Sequence, residues 1–302
     1  MTTTLVTGLA GFVGSWVASE VPDAADLVDA RGRVDIGDAQ RVRDAVARLR
    51  PTSVIHLAAQ SSVPVAFADP LGTYRTNFLG TLHLFEALAA AGFRGRVLYV
   101  SSAEVYGSVA PERFPVPEDT PFAPRNPYAV AKIASEALCR QWSLTGPFEI
   151  VVARPFNHIG PRQNPNFAIP DFARQVVAFR RGRGPGALKV GDLDRTRDFT
   201  DVRDIVRAYL ALLVHGENGE AYNVCSGIER DMRDVVRLLL DIAGVDMRLE
   251  VDAQRHVATQ QSRMRGSPAK LHERTGWTPR IPLERTLADV LDHWERQDTA
   301  SA

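Results

Sequence analysis

The sequence predicts an α/β protein: a doubly wound parallel sheet in the N-terminal half and a smaller, mixed α/β region in the C-terminal half. Three observations lead there. Strand-like and helix-like segments alternate from Thr3 to Ala153, the order that builds a parallel sheet covered on both faces. A turn with glycine at positions 8, 11 and 14 joins the first strand to the first helix. After Arg154 the chain becomes rich in Pro, Gly and Arg, which suits a loop-rich binding region better than a sheet core. A chain of 302 residues accommodates one large domain or two tightly joined smaller ones. The expected division sets residues 1–154, completed by about 199–224, against residues 155–198 and 225–302.

In order along the chain, Thr3 to Thr7 is an apolar strand and Phe12 to Glu20 the helix after it. Asp26 to Asp29 is a short second strand. Asp38 to Leu49 is an amphipathic helix that Pro51 closes. Ser53 to Leu57 is an apolar strand. Asn77 to Ala91 is a helix ended by Gly92, and Val97 to Val100 a strand. Tyr128 to Trp142 is helical and Glu149 to Ala153 a strand. Beyond Arg154, Phe172 to Arg180, Asp204 to Val214 and Met232 to Ile242 are helical, and Ala221 to Val224 is a strand. Gly276-Trp277-Thr278-Pro279 is a turn before a last amphipathic helix, Leu283 to Trp294.

Hydrophobic residues make up 45% of the chain and charged residues 24%, as in ordinary soluble globular proteins. Lys plus Arg and Asp plus Glu both number 36, so the formal net charge is zero. That balance argues against nucleic-acid and membrane-surface partners. Cys139 and Cys225 stand far apart and in no metal-binding spacing, which fits two reduced thiols and no metal. No apolar run reaches bilayer-spanning length and no export signal pattern is visible. The cytoplasm is the expected compartment.

Thr7-Gly8-Leu9-Ala10-Gly11-Phe12-Val13-Gly14 follows the first strand and opens the first helix. Glycines so spaced permit a tight turn, let backbone approach a pyrophosphate and allow close helix packing, the mark of a Rossmann-type dinucleotide site. The helix N-terminus adds free N–H groups and a positive dipole. About twenty residues on, Asp29 stands where a carboxylate can hold the ribose hydroxyls of NADH. Arg31 and Arg33 follow and can instead pair with the 2′-phosphate of NADPH. Both cofactors stay open.

Tyr128 and Lys132 are four apart on one helix and share a face. An ammonium beside a phenol favours the phenolate, so the expectation is a lowered Tyr128 pKa and proton exchange near neutral pH. Ser102 follows the strand Val97 to Val100, at the carboxyl end where open parallel sheets bind ligands. Its hydroxyl can there polarise a substrate oxygen.

At these residues the chain resembles the extended short-chain dehydrogenase/reductase family. The likeness covers essentially the whole chain and also rests on His56-Leu57-Ala58-Ala59, Ser101-Ser102-Ala103-Glu104-Val105-Tyr106-Gly107 and Tyr128-Ala129-Val130-Ala131-Lys132. It implies that Ser102, Tyr128 and Lys132 are catalytic and that Asn77 supports the lysine through structured water. It further implies that Asp35-Ile36 contacts adenine, and that Leu57, Ala58 and Ala59 line the cofactor with Gly8, Gly11, Phe12, Val13 and Gly14.

Four longer stretches resemble the GDP-sugar enzymes of that family. They are His56 to Pro64, Arg154-Pro155-Phe156-Asn157-His158-Ile159-Gly160-Pro161, Arg197-Asp198-Phe199-Thr200-Asp201-Val202-Arg203-Asp204 and Tyr222-Asn223-Val224-Cys225-Ser226-Gly227. The resemblance implies NAD(P)H-dependent reduction of a GDP-linked 4-keto-6-deoxy sugar at C4, giving GDP-D-rhamnose. Ser102, Ala103, Glu104, Tyr128, Asn157, Arg174, Lys189, Arg197, Arg255 and Arg263 are the candidate substrate contacts.

Two departures stand out. Where relatives carry Arg-Pro-x-Glu, this chain has Val257 and Gln260, with Arg255, Arg263 and Arg265 around the gap. A diphosphate calls for at least one bidentate arginine, with Arg197 the first candidate and Arg174 the second. Glu104 occupies the place of the carboxylate that removes the C5 proton in 4,6-dehydratases, yet Ala103 stands where dTDP-sugar members have an acid. A GDP-mannose 4,6-dehydratase or an epimerase is therefore the alternative enzyme. A silent nucleotide-sugar sensor is disfavoured by the complete Ser102, Tyr128 and Lys132 set.

The helices Asn77 to Ala91 and Tyr128 to Trp142 carry apolar residues on more than one face, among them Phe85, Leu88, Leu138 and Trp142. The resemblance implies that they pair across a two-fold axis in a homodimer.

Overall fold

The computed structural model describes residues 3–184, 186–252 and 262–300. By its contacts the chain divides into two compact units. The first comprises Met1–Pro155, Val206–Val224 and Ser267–Trp277, and the second Phe156–Ile205, Cys225–Gly266 and Thr278–Ala302.

In the first unit, β1 (Thr4–Thr7), β2 (Ala24–Ala25), β5 (Ser53–His56), β6 (Arg96–Val100), β7 (Glu149–Pro155) and β11 (Ala221–Val224) form one sheet. Its order is β11-β7-β6-β5-β1-β2, with every neighbouring pair parallel. The central strands carry buried Val, Ile and Leu, as Leu5-Val6, Val54-Ile55, Val97-Leu98 and Ile150-Val151-Val152, because helices cover both faces. Leu5, Val54, Val97 and Ile150 are buried in one cluster with Leu84, Phe85 and Leu88. From β1 the chain runs outward one way to β2 and the other way to β5. The crevice at that reversal, beyond the carboxyl ends of the strands, is where such sheets bind ligands.

The helices of this unit are α1 (Phe12–Glu20), α2 (Ala39–Leu49), α3 (Val63–Ala68), α4 (Pro70–Tyr74), α5 (Gly80–Ala90), α6 (Pro127–Thr145) and α10 (Ala269–Thr275), with α8 (Val202–His215) from Val206 onward. Helix α2 shows how sequence sets an element. Asp38 caps it by accepting the Arg41 N–H, Val42, Ala45 and Val46 are buried along one stripe, and Arg50 ends it in the left-handed region before Pro51.

Three expectations change here. The second sheet strand is Ala24–Ala25, and the expected segment instead ends in a hairpin of β3 (Val28–Asp29) and β4 (Gly32–Arg33) closed by Gly32 at φ 99°. A positive φ costs glycine little, so the turn wins over a longer edge strand. The helix expected from Asn77 begins as a π-turn, Arg75–Leu79, before α5. Finally, Phe85 and Leu88 lie in the core, and Leu138 and Trp142 pack against it. Those side chains are covered within the unit by aromatic contacts, such as Trp142 stacked on Phe148 at 5.6 Å. The apolar residues left exposed are others, including Val65, Phe67, Leu71, Leu79 and Val130.

In the second unit, β8 (Asn157–Ile159) pairs in parallel and β12 (Glu229–Asp231) antiparallel with β10 (Thr196–Asp201). A separate pair, β9 (Ala187–Val190) and β13 (Arg248–Val251), is parallel. Helices α7 (Ala168–Arg180), α9 (Met232–Ala243) and α11 (Leu283–Ala300) share its core of Phe172, Val176, Val236, Leu239 and Leu287. Residues 155–198 thus hold more structure than their composition suggests. Strands of three or four residues are too short to give a period, and their partners lie far away in sequence.

Three buried aspartates of the stretch Arg197 to Asp204 fasten this unit. Asp198 accepts from the Ser226 and Gly227 N–H groups at 2.8 and 2.9 Å and from Gly266 N at 3.2 Å. Asp201 accepts from Thr286 of α11 at 2.7 Å and Asp204 from the Arg280 and Ile281 N–H groups. Buried carboxylates survive only with such partners.

Candidate active site

Gly8 has φ 79°, and a Cβ there would lie 3.1 Å from Ala58 N. A Cβ on Gly14 would lie 2.3 Å from Gly8 O. Both glycines are therefore obligatory for the turn and for the seating of α1. Gly11 begins α1, and no side chain caps that helix. Its N-terminal amides are those of Phe12 and Val13, and amides at such a helix end suit a pyrophosphate. The turn fits a dinucleotide.

His56 is fully buried at the end of β5, with Nδ1 2.6 Å from Thr7 Oγ1 and Nε2 3.0 Å from Thr81 Oγ1. Thr81 donates to Asn77 O at 2.7 Å and Thr7 accepts from Ala58 N at 3.2 Å. Each hydroxyl has one proton, so the directions are settled. Nε2–H donates to Thr81, and the Thr7 hydroxyl donates to a bare Nδ1. One neutral tautomer thus ties the glycine turn to the segment Leu57 to Ala59 and to Asn77. The Asn77 amide closes on the Gln60 backbone, accepting its N–H at 2.8 Å and donating to its carbonyl at 2.9 Å.

The adenosine end differs from expectation. Asp29 accepts two bonds from Arg41, at 2.7 and 2.9 Å, and the Arg31 N–H at 2.8 Å. The Arg41 bond holds its carboxyl down at about 2. Arg31 and Arg33 are exposed, Arg33 lying 3.7 Å from Asp26. Asp35 is exposed and accepts from Gly37 N, whereas the Ile36 side chain is buried in the core.

Helix α6 brings Tyr128 and Lys132 beneath the end of β6. Lys132 donates from Nζ to Val100 O at 2.7 Å and lies 5.0 Å from the Tyr99 ring and 5.8 Å from the Tyr128 ring. Burial lowers its pKa to about 8. The Tyr128 phenol is pushed up to about 12, by burial first, with its hydrogen bond to Ser102 opposing and the charge of Glu104 adding. The expected lowering of Tyr128 is thus corrected: desolvation dominates, and the ammonium faces the Val100 carbonyl. Ser102 Oγ accepts from Glu104 N at 3.2 Å. Glu104 Oε2 accepts from Asn126 Nδ2 at 2.9 Å, and Ala103 is buried.

One turn further along α6, Glu136 is buried against Arg154, whose Nη2 lies 2.7 Å from Oε2, and against the Ser101 hydroxyl. Arg154 also donates to the Tyr106 hydroxyl at 2.9 Å and the Glu118 carbonyl at 2.8 Å. Sequence reasoning missed Arg41, Asn126 and Glu136. Only Asn126 carried a signal, as an Asn before Pro127 at a helix start.

Of the candidate substrate contacts in the second unit, Asn157 is exposed at the start of β8 and Lys189 on β9. Arg174 pairs with Asp171 at 2.7 Å, and Arg197 donates to Thr196 O at 2.7 Å. Arg263 is bidentate to Glu229 at 2.7 and 2.8 Å, and Arg265 donates to Gly227 O. Arg255, Val257 and Gln260 lie outside the described residues.

His56 gives a pH prediction. Burial, with the nearby Lys132 charge, lowers its pKa to about 3 from an ordinary 6.5. The unfolded chain therefore takes up this proton first, and stability falls as pH drops from about 6.5 toward 3, by up to about 1.4 kcal/mol per unit. In urea unfolding, His56→Asn should lower stability at pH 7 yet show a shallower acid loss than wild type. Equal slopes would refute the neutral, buried ring.

A family model described as GDP-mannose 4,6 dehydratase matches residues 30–290. The chain is 47% identical to the GDP-6-deoxy-D-mannose reductase of Pseudomonas aeruginosa, over 96% of each chain. A solved structure of RMD from Pseudomonas aeruginosa complexed with NADPH is 45% identical, with a TM-score of 0.91 over 98% of this chain and 100% of that one. The Thermus thermophilus UDP-glucose 4-epimerase, solved as a complex with NAD, is 28% identical, with a TM-score of 0.86 over 97% and 99% of the two chains. Matched at this identity along nearly its whole length, the chain belongs to the GDP-mannose 4,6 dehydratase family, within the extended short-chain dehydrogenases/reductases.

Proposed function

We propose that this protein reduces the C4 ketone of GDP-4-keto-6-deoxy-D-mannose to GDP-D-rhamnose in the cytoplasm, using NADPH in preference to NADH. The observation that carries this is the convergence of Ser102, Tyr128 and Lys132 in a chain 47% identical to a GDP-6-deoxy-D-mannose reductase. The first unit holds the dinucleotide. Phe12 and Val13 N–H groups bind the pyrophosphate, Leu57 to Ala59 line the nicotinamide side, and Asp35 meets the adenine. Asp29, engaged by Arg41, is a poor acceptor for a ribose hydroxyl, while the exposed Arg31 and Arg33 suit a 2′-phosphate.

When bound, the reduced nicotinamide supplies the hydride to C4. Ser102 donates a hydrogen bond to O4 and Tyr128 gives that oxygen its proton. A phenol near 12 stays protonated over the physiological range, so it arrives as the acid the reduction needs. Lys132, charged below about 8, stabilises the phenolate left behind. Asn157 and Arg197 are the proposed contacts to the sugar and diphosphate, with Arg174, Lys189 and Arg263 as further ones.

Glu104 and the family's description favour a second reading, a 4,6-dehydratase acting on GDP-mannose. Against it stands the 47% identity to a GDP-6-deoxy-D-mannose reductase, beside 28% to a GDP-mannose 4,6-dehydratase; the methyl of Ala103 removes only the acid of the dTDP-sugar members. Purified protein given GDP-4-keto-6-deoxy-D-mannose should consume one NADPH per sugar, monitored at about 340 nm, and yield GDP-rhamnose. Catalytic formation of the 4-keto sugar from GDP-mannose without reduced cofactor would instead establish the dehydratase, and faster turnover with NADH would overturn the cofactor assignment.

A homodimer goes with this reading. Its support is now the exposed apolar set Val65, Phe67, Leu71, Leu79 and Val130, on segments that pack on one another: α3, α4, the π-turn and α6. Light scattering should give twice the chain mass of 33.2 kDa. A monomer mass at every concentration would contradict it.

A further inference from the structure

Asn126 is buried at the start of α6 and both ends of its amide are used. Oδ1 caps the helix by accepting the Ala129 N–H at 2.8 Å, and Nδ2 donates to Glu104 Oε2 at 2.9 Å. Glu104 in turn gives its N–H to Ser102 Oγ, and Tyr128 stands two residues beyond Asn126 in the first turn of α6. The contacts close a ring: Ser102, Glu104, Asn126, the first turn of α6, and Tyr128, which lies near Ser102. Among good helix caps, only Asn has its acceptor and donor on separate atoms; Ser and Thr have one oxygen for both, and ionised Asp has no donor.

We propose that Asn126 is a positioning residue for the reduction, tying the turn that carries Ser102 to the helix that carries Tyr128 through the carboxylate of Glu104. The proposal rests on the reading of Ser102 and Tyr128 as the pair that meets O4. It gives Glu104 a task that removes no C5 proton. Two hydroxyls must converge on one oxygen, and the clamp spans the only two elements that bring them. The charge of Glu104, kept beside the phenol, also helps to keep Tyr128 protonated.

The other titratable groups facing the ring are Tyr99 from β6, Tyr209 from α8 and Lys132 on α6, with Arg125 exposed beside Asn126. Burial raises both tyrosines, and Lys132 stays charged below about 8. Between pH 5.5 and 7, then, the change that Asn126→Asp introduces is the titration of the carboxylate added at 126.

The test uses the full chain with Asn126→Ser and Asn126→Asp, both of which keep a cap oxygen. Wild type must first reduce the 4-keto sugar; its failure to do so would strike the function and not the clamp. Asn126→Ser should lose about ten- to a hundredfold in kcat, the worth of a hydrogen bond to a charged group, with melting temperature, KM and NADPH affinity near wild type. Asn126→Asp sets two carboxylates together, so it should be poor at pH 7 and recover about tenfold relative to wild type at pH 5.5, where one shared proton restores the bond. Wild-type kcat in Asn126→Ser, or an Asn126→Asp deficit that ignores pH, would overturn the proposal.

Discussion

Helix α6 buries a stripe that is mostly polar. Tyr128, Lys132, Ser135 and Glu136 are all buried, and they fall on one face by the 3.6-residue period. A buried polar group without a partner costs more than most single contacts return, so the helix can sit only where each finds one. Tyr128 lies near Ser102, Lys132 meets the Val100 carbonyl, Ser135 the Asn77 and Ala131 carbonyls, and Glu136 the Arg154 guanidinium and the Ser101 hydroxyl. The partners come from β6, the π-turn and β7. One register of α6 satisfies them all.

That constraint also explains the chemistry. Burial weakens the charged forms of Lys132 and Tyr128, driving Lys132 down toward 8 and Tyr128 up toward 12. On the proposed reduction the phenol is an acid held in reserve, and the ammonium one turn away becomes worth more once the phenol has given up its proton. Arg154 is oriented by the stacking of its guanidinium over Tyr106 and Phe122 at 5.2 and 5.0 Å. The loop bearing Ser102 is in this way held from below as well as from the side.

Much of this was legible in the sequence. Long apolar strands and the glycine turn announced the sheet, since hydrophobic pattern and backbone permissiveness are local properties. Tyr128, Lys132 and Ser102 stood out as candidates because their spacing and place on the sheet are local too. What was hidden depended on residues brought together from afar. Arg41 reaches back to Asp29 across a hairpin that replaced an expected strand. The stretch Arg197 to Asp204 stood out only as a resemblance, and its aspartates fasten Gly227, Gly266, Thr286 and Ile281. The sign of the Tyr128 shift was misjudged because a sequence shows the neighbouring lysine but not the burial.

The account stands on Tyr128 as the group that gives its proton to O4. Tyr128→Phe removes that proton and little else, so steady-state turnover and NADPH binding by fluorescence titration separate chemistry from cofactor affinity. The expected result is a loss in kcat of about a hundred- to ten-thousandfold with the NADPH Kd close to wild type. Near-wild-type turnover, or an equal collapse of NADPH binding, would contradict it.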